Sequence, residues 1–272
     1  MSTEKELAYR YDLFIASDWR DRFDILVNDN VQFPVEGSIL DINCGTGGYA
    51  VELAQNLTGK GEVIGLDSSK DRVEIARAKA LAKKLDNLTL RQANPLELPF
   101  PDGRFDLVIG DSSLPPTAET APMLKEMIRV ARHDAQVILK MTTAGSFDEF
   151  FSIYWEALAT CGLADQLWQP LESLIKERHT ISEAEDMAAQ AGLNMITSYS
   201  RKEEFACETA LQFLESPLIL DVFLAGWLGI VPETRRLDVV EAITHTIEQE
   251  RHAGAFEFSI KATAIAGRKM GL

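Results

Sequence analysis

Three glycines crowd the run Leu40–Ala50 (LDINCGTGGYA), at Gly45, Gly47 and Gly48, where an apolar stretch gives way to a helical pattern. Glycine permits positive φ and lets a ligand approach the backbone, while the N-terminus of the following helix offers unpaired N–H groups. The chemistry this suggests is capture of a nucleotide-like ligand. Gly45-Thr46-Gly47-Gly48-Tyr49-Ala50 even fits the GxGxxA form of a dinucleotide fingerprint. Asp41, four residues ahead of Gly45, argues against a dinucleotide. Its carboxylate at the strand end would face the pyrophosphate, and two anions a few ångströms apart repel by on the order of a kcal/mol or more. A cationic ligand is favoured there. Asp67 follows Gly47 by 20 residues and ends a second apolar run, where an acid can accept both ribose hydroxyls; capping the next helix is its alternative role. S-adenosylmethionine, with a sulfonium, an ammonium and no phosphate, suits a turn that carries one carboxylate.

These residues need strands and helices to place them. GSILDIN (37–43) reads as a strand, and YAVELAQNL repeats Ala50, Leu53 and Leu57 at helical period. GEVIGLDSS (61–69) is a second strand, and KDRVEIARAKALAKKL is a strong helix former. NLTLRQA, FDLVIG (105–110) and AQVILKMTT (135–143) supply three more strands, with the helix TAPMLKEMIRVAR between the last two. Such alternation of near-continuous apolar strands with helices argues for a parallel sheet covered on both faces. Ahead of it, Leu7, Tyr11, Phe14 and Ile15, then Trp19, Phe23, Ile25 and Leu26, predict two short helices, the second capped by Ser17 or Asp18. Beyond Gly145 helices predominate, SEAEDMAAQAGLNMITSYSRKEEF reads helix then strand, VVEAITHTIEQERH reads helix, and Phe256–Lys269 alternates as a final strand.

The joint pattern resembles the class I S-adenosylmethionine-dependent methyltransferases. ILDINCGTG matches their first motif, VIGLDSS their second, and QANPLELPFPDGRFDLVIG their third with the opening of the next strand, over roughly residues 37–145. The resemblance implies a single Rossmann-like α/β domain, a three-layer sandwich around a mostly parallel seven-stranded sheet with an antiparallel last strand. Residues 1–36 would form N-terminal helices, 37–145 the cofactor-binding core, 146–255 the sixth strand and a helical C-terminal elaboration, and 256–272 the last strand. It implies S-adenosyl-L-methionine as cofactor, held by Tyr11, Asp41, Asn43, Cys44, Gly45, Thr46, Gly47, Asp67, Ser68, Asn94, Pro95 and Asp111. The reaction it implies is SN2 methyl transfer to a small-molecule acceptor. Because the sulfonium is already a good leaving group, alignment and desolvation do much of the work and no catalytic residue is demanded.

Two positions depart from the family pattern. Asn43 stands where the first glycine is usual, and asparagine is the non-glycine residue that best tolerates a left-handed conformation. Asn94 replaces an aspartate that accepts the adenine amino group, a bond its carboxamide oxygen can also accept. Asp111, just past the fourth strand, would face the cofactor or the acceptor and is the one candidate base; a solvent-exposed loop acid is its alternative. Tyr9, Tyr11 and Trp19 either close over the pocket or simply pack. Cys44 contributes backbone and a small side chain, and Asp106 starts a strand.

The formal charge of −15 repels phosphate backbones and anionic lipid, so neither a nucleic acid nor a membrane surface is expected as partner. Hydrophobic residues at 46% and charged residues at 25% place the chain among folded globular proteins. Three cysteines without a CxxC pair predict no disulfide framework and a cytoplasmic home, and His133, His179, His245 and His252 show no metal-ligand spacing. The N-terminus lacks the apolar core of a signal peptide. Leu218–Val231 is too short for a membrane span; it is the core of a helical cap, the wall of an acceptor pocket, or a subunit contact in a homodimer. Two other functions stay open: a non-catalytic S-adenosylmethionine-binding regulator, and an NAD-dependent oxidoreductase, against which Asp41 speaks.

Overall fold

The computed structural model describes residues 3–59, 61–114, 116–250 and 254–271. Pro115 of the DSSLPP segment and Arg251 and His252 at the end of the last helical pattern lie outside the described residues.

The first helical run opens with a capping box, in which the Thr3 hydroxyl accepts the Glu6 N–H and the Glu6 carboxylate accepts the Thr3 N–H. It continues as α1 (Glu4–Arg10), a π-helical segment (Tyr11–Arg20) and α2 (Asp21–Asn30). Arg10, Tyr11, Arg20 and Asp21 at the junctions all keep right-handed helical dihedrals, so the two helices expected from the stripes are one. Ser17 does not cap a new helix; its hydroxyl donates to the Leu13 carbonyl one turn back. The wider turn of the π segment explains why a 3.6-residue period misjudges its faces. Tyr11, Ile15, Trp19 and Arg20 point inward, whereas Phe14 and Ile25 are exposed.

Seven strands follow: β1 (Ser38–Ile42), β2 (Glu62–Asp67), β3 (Leu88–Gln92), β4 (Phe105–Ser112), β5 (Ala131–Thr143), β6 (Leu193–Cys207) and β7 (Phe256–Lys269). Their order is β3-β2-β1-β4-β5-β7-β6. The first five pair in parallel, with Asp41 in register with Gly65 on one side and Ile109 on the other. The sheet is mixed and ends in antiparallel pairing, in keeping with the antiparallel last strand expected for Phe256–Lys269. Apolar side chains at consecutive positions of β1 and β4 force this arrangement, because such strands must be covered on both faces. Helices α3 (Gly48–Asn56), α4 (Lys70–Ala82) and α5 (Thr120–Val130) make the crossovers. The order reverses between β1 and β4, and ligands of open α/β sheets collect beyond the carboxyl ends of strands at such a point.

The chain divides into two compact units. The first comprises Met1–Met141, Thr180–Arg201 and Ala262–Leu272, and includes the helix Ile181–Ala191, α8 in chain order. Its core packs Leu40, Ile64, Val108, Met127 and Leu139 against Ala184, Ala188 and Ile265. The second unit, Thr142–His179 and Lys202–Lys261, holds α6 (Asp148–Thr160), α7 (Ala164–Ile175), α9 (Ala210–Glu215), α10 (Leu224–Trp227) and α11 (Arg236–Glu250). Its core is aromatic: Phe150 stacks on Trp227 at 4.4 Å and on Tyr154 at 5.7 Å, and the Tyr154 hydroxyl donates to the Trp227 carbonyl. Leu218, Ile219, Phe223, Trp227 and Val231 of the apolar run are buried in this unit. No helix among the described residues is long and apolar enough to cross a membrane.

Candidate functional site

Strand β1 ends at Ile42, and the chain turns through three left-handed residues, Asn43 (φ 56), Gly45 (φ 58) and Gly47 (φ 79). Asn43 adopts the conformation expected of it and adds a tie that a glycine lacks. Its carboxamide donates to the Asp111 carbonyl at 2.9 Å, joining the ends of β1 and β4 across the point where strand order reverses. The Cys44 N–H donates to the Leu66 carbonyl, and the Gly45 N–H to Asp67 Oδ2 at 2.9 Å. Asp67 Oδ1 accepts the Ser69 N–H, and it is Ser69 that caps α4. Asp67 thus braces the turn from β2 and lines the cavity in front of it, rather than serving as the cap.

Gly47 is glycine for two reasons. Its φ is left-handed, and a Cβ there would lie 2.6 Å from the Cβ of Ala76 on α4. Gly47→Ala is therefore expected to lower the unfolding free energy by about 1–3 kcal/mol. Denaturant unfolding measures this, with Gly47→Ala/Ala76→Gly recovering part of the loss; equal losses in both variants would place the cost in φ alone.

The cavity measures about 260 Å³. Of the residues singled out in the sequence, Tyr11, Asn43, Asp67, Ser68, Asn94, Pro95 and Asp111 line it. Asn94 Oδ1 accepts the Leu96 N–H, which fixes the loop after β3. Cys44, Gly45, Thr46 and Gly47 form the turn and are not among the lining residues. Cys44 is buried, and burial pushes its thiol well up, against any role as a nucleophile. Trp19 packs in the interior with its indole N–H on Ser113, and Tyr9 is half exposed.

Asp41 is fully buried in β1 and is not among the residues that line the cavity, and among the described residues neither oxygen of its carboxylate has a hydrogen-bond partner. Burial pushes its pKa up to about 7, against the pull of Lys140 and Arg20. These three belong to a cluster with Asp24 and Asp111, in which Arg20 and Asp111 form part of the cavity wall. Arg20 pairs with Asp111 at 3.0 Å, and Lys140, fully buried in β5, reaches Asp24 at 2.5 Å and Asp111 at 3.4 Å. Burial opposes the Asp111 charge, but Arg20, Lys140 and the Ser113 hydroxyl and N–H outweigh it and hold its pKa below the usual range. A carboxylate so held is a poor proton acceptor.

Arg20, Arg72, Ser112, Glu119 and Met123 also line the cavity and were not anticipated. Arg20 donates to the Tyr11 hydroxyl at 2.9 Å and to the Asn43 carbonyl. Tyr11 and Arg20 are nine residues apart, about two and a half turns of α-helix, which would set them on opposite faces. Only the wider π turn brings them together. Both press on Gly45, where a Cβ would meet Arg20 Nη1 at 2.7 Å and Tyr11 Oη at 2.8 Å.

Comparison with known proteins bears on this arrangement. The family described as methyltransferase domain matches residues 35–146. A demethylmenaquinone methyltransferase of Lactococcus lactis subsp. lactis is 35% identical over 122 residues, 44% of this chain and 48% of that protein. One from Geobacillus kaustophilus is 33% identical over 137 residues, 50% of this chain and 57% of that protein. The chain thus spans about half the length of the curated relatives it matches. Among solved structures, a Bacillus halodurans C-125 protein assigned as a methyltransferase superposes with TM-score 0.60 at 16% identity, covering 92% of this chain and all of that one. The Streptomyces coelicolor A3(2) geranyl diphosphate C-methyltransferase, solved with Mg²⁺, geranyl diphosphate and S-adenosyl-L-homocysteine, gives 0.51 at 13% identity, covering 92% and 79%. These structural likenesses establish the fold.

Proposed function

We propose that this chain, whose residues 35–146 match a methyltransferase domain, is a class I S-adenosylmethionine-dependent methyltransferase that transfers a methyl group to a small organic acceptor. The observation that carries this reading is the cavity at the strand-order reversal, which gathers Asp67, Asn94, Asn43 and Arg20 from four separate segments around the glycine turn.

The donor set fits S-adenosylmethionine. Asp67 keeps lone pairs for the ribose hydroxyls beyond the two backbone N–H groups it accepts. Ser68, Asn94 and Pro95 would border the adenine, and the Arg20 guanidinium offers the charge to pair with a carboxylate. Bound there, the cofactor supplies an activated methyl on a positively charged sulfur. Asp111 would hold Arg20 in place instead of taking a proton. Asp41 would act through the same cluster, and Gly45, Thr46, Gly47 and Cys44 as the backbone that shapes the turn. Ser112, Leu114, Pro116, Glu119 and Met123 would meet the acceptor. The relatives are named for demethylmenaquinone, which makes a quinol-like aromatic the first acceptor to try. The free cysteines Cys44, Cys161 and Cys207 support a reducing, cytoplasmic setting, and the −15 charge supports an acceptor other than nucleic acid.

Calorimetric titration with S-adenosylmethionine, S-adenosylhomocysteine and NAD tests the cofactor. Both adenosyl ligands are expected to bind and NAD to fail. Asp67→Ala is expected to weaken adenosyl binding by about 100-fold, as two hydrogen bonds to a charged group are lost. Asp67→Asn, which keeps the shape of the turn, separates ligand contact from bracing. Binding of NAD alone, or of none of the three, would sink the proposal.

A further inference from the structure

We infer that Arg72 and Lys79 on α4 clamp the Tyr11 end of the π segment onto the glycine turn, and thereby set how fast an adenosyl ligand enters and leaves the cavity. The ligand named here rests on the cofactor reading above; the clamp itself does not.

Arg72, Ala76 and Lys79 are spaced by four and three residues and share one face of α4. Each meets a different part of the site. The Arg72 guanidinium lies 3.9 Å from the centre of the Tyr11 ring. Ala76 packs beneath Gly47. The Lys79 ammonium donates to Asp12 Oδ1 and reaches Thr46 Oγ1 at 3.3 Å, and the Thr46 hydroxyl donates to the same Asp12 oxygen at 2.5 Å. A lysine, an aspartate and a threonine thus close a triangle that ties α4, the π segment and the turn together. Tyr11 and Asp12 are adjacent, at the junction where α1 gives way to the π segment.

The two ends of that segment are held differently. Arg20 pairs with Asp111 where the side chains are 8% and 4% exposed, so water and salt screen that bond far less. The Lys79–Asp12 pair is 36% and 19% exposed and open to screening. An opening motion therefore begins at Tyr11 and pivots about Arg20. Because Tyr11 presses on Gly45 and lines the cavity, that motion uncovers the site. With Tyr11 seated, the cavity is slightly smaller than the roughly 300 Å³ at which small-molecule pockets begin, consistent with a cover that lifts to admit ligand.

Hydrogen exchange on the ligand-free protein tests the clamp. Lys79→Met and Asp12→Asn are each expected to speed exchange over residues 4–16 by about threefold, and to leave residues 20–30 unchanged. Their double variant is expected to match either single one, as for two ends of one bond. Wild-type protein needs no substitution to show the same effect: exchange over 4–16 is expected to rise between about 0.01 M and about 1 M salt, where the screening length falls from roughly 30 to 3 Å. Stopped-flow release of S-adenosylhomocysteine is expected to quicken with salt in wild type and to be fast and salt-independent in Lys79→Met. Unchanged exchange over 4–16 in both the variants and high salt would overturn the clamp. If wild type binds no adenosyl ligand, the cofactor reading fails while the exchange result still decides the clamp.

Discussion

Arg20→Met is expected to lower the unfolding free energy by about 3–5 kcal/mol, the cost of breaking a buried ion pair from one side. Arg20 answers three groups at once: the Asp111 carboxylate at 3.0 Å, the Tyr11 hydroxyl and the Asn43 carbonyl. Without it, Lys140 alone faces Asp24, Asp41 and Asp111, and each carboxyl group loses part of the pull that favours its charged form. Chemical denaturation near neutral pH measures the loss. Adding Asp111→Asn to Arg20→Met is expected to recover part of it, because the orphaned charge is removed. A loss below about 1 kcal/mol would show that water reaches Asp111 and that the cluster is solvated.

The second large effect concerns pH. Asp41 has a folded pKa of about 7 against an ordinary 3.8, so across that interval the folded chain keeps a proton that the unfolded chain releases. The stability this contributes is complete below the ordinary value and is lost as pH rises through the folded one. Asparagine has nearly the same shape and cannot ionise. Asp41→Asn is therefore expected to match wild type near pH 4 and to exceed it by up to about 4 kcal/mol near pH 8, since every pH unit between the ordinary and the folded value is worth about 1.36 kcal/mol. Asp24 is raised in the same direction and Asp111 lowered. Subtracting the two stability curves isolates Asp41; parallel curves over that range would refute the assignment.

Much of this site was legible because it is local. The glycine turn, Asp67 at the end of β2, Asn94 and Pro95 after β3 and Asp111 in β4 occupy fixed places relative to strands that an apolar pattern reveals. The left-handed Asn43 followed from side-chain tolerance of that conformation. What escaped depends on distance along the chain. Nothing near Lys140 announces Asp24, 116 residues away, and a lysine inside an apolar strand carries no mark of the helix that will neutralise it. Asp41 reads as a ligand contact from its position at the strand end; the charged groups that act on it inside the fold, Lys140 and Arg20, arrive from elsewhere. Arg20 itself was hidden by the assumption of a 3.6-residue period.

That hidden period has an evolutionary reading. Along the segment Tyr11–Arg20 the exposed side chains Leu13, Phe14, Ser17 and Asp18 make few demands on residue identity. The number of residues is another matter. Removing one would relax the segment toward an ordinary helix and rotate everything beyond it by about 100°. Arg20 would swing away from Tyr11, Asn43 and Asp111 with every contact residue still present in the gene. Drift can therefore rewrite the letters of this stretch while selection guards its count, so that kinship between such segments is better measured by length than by similarity.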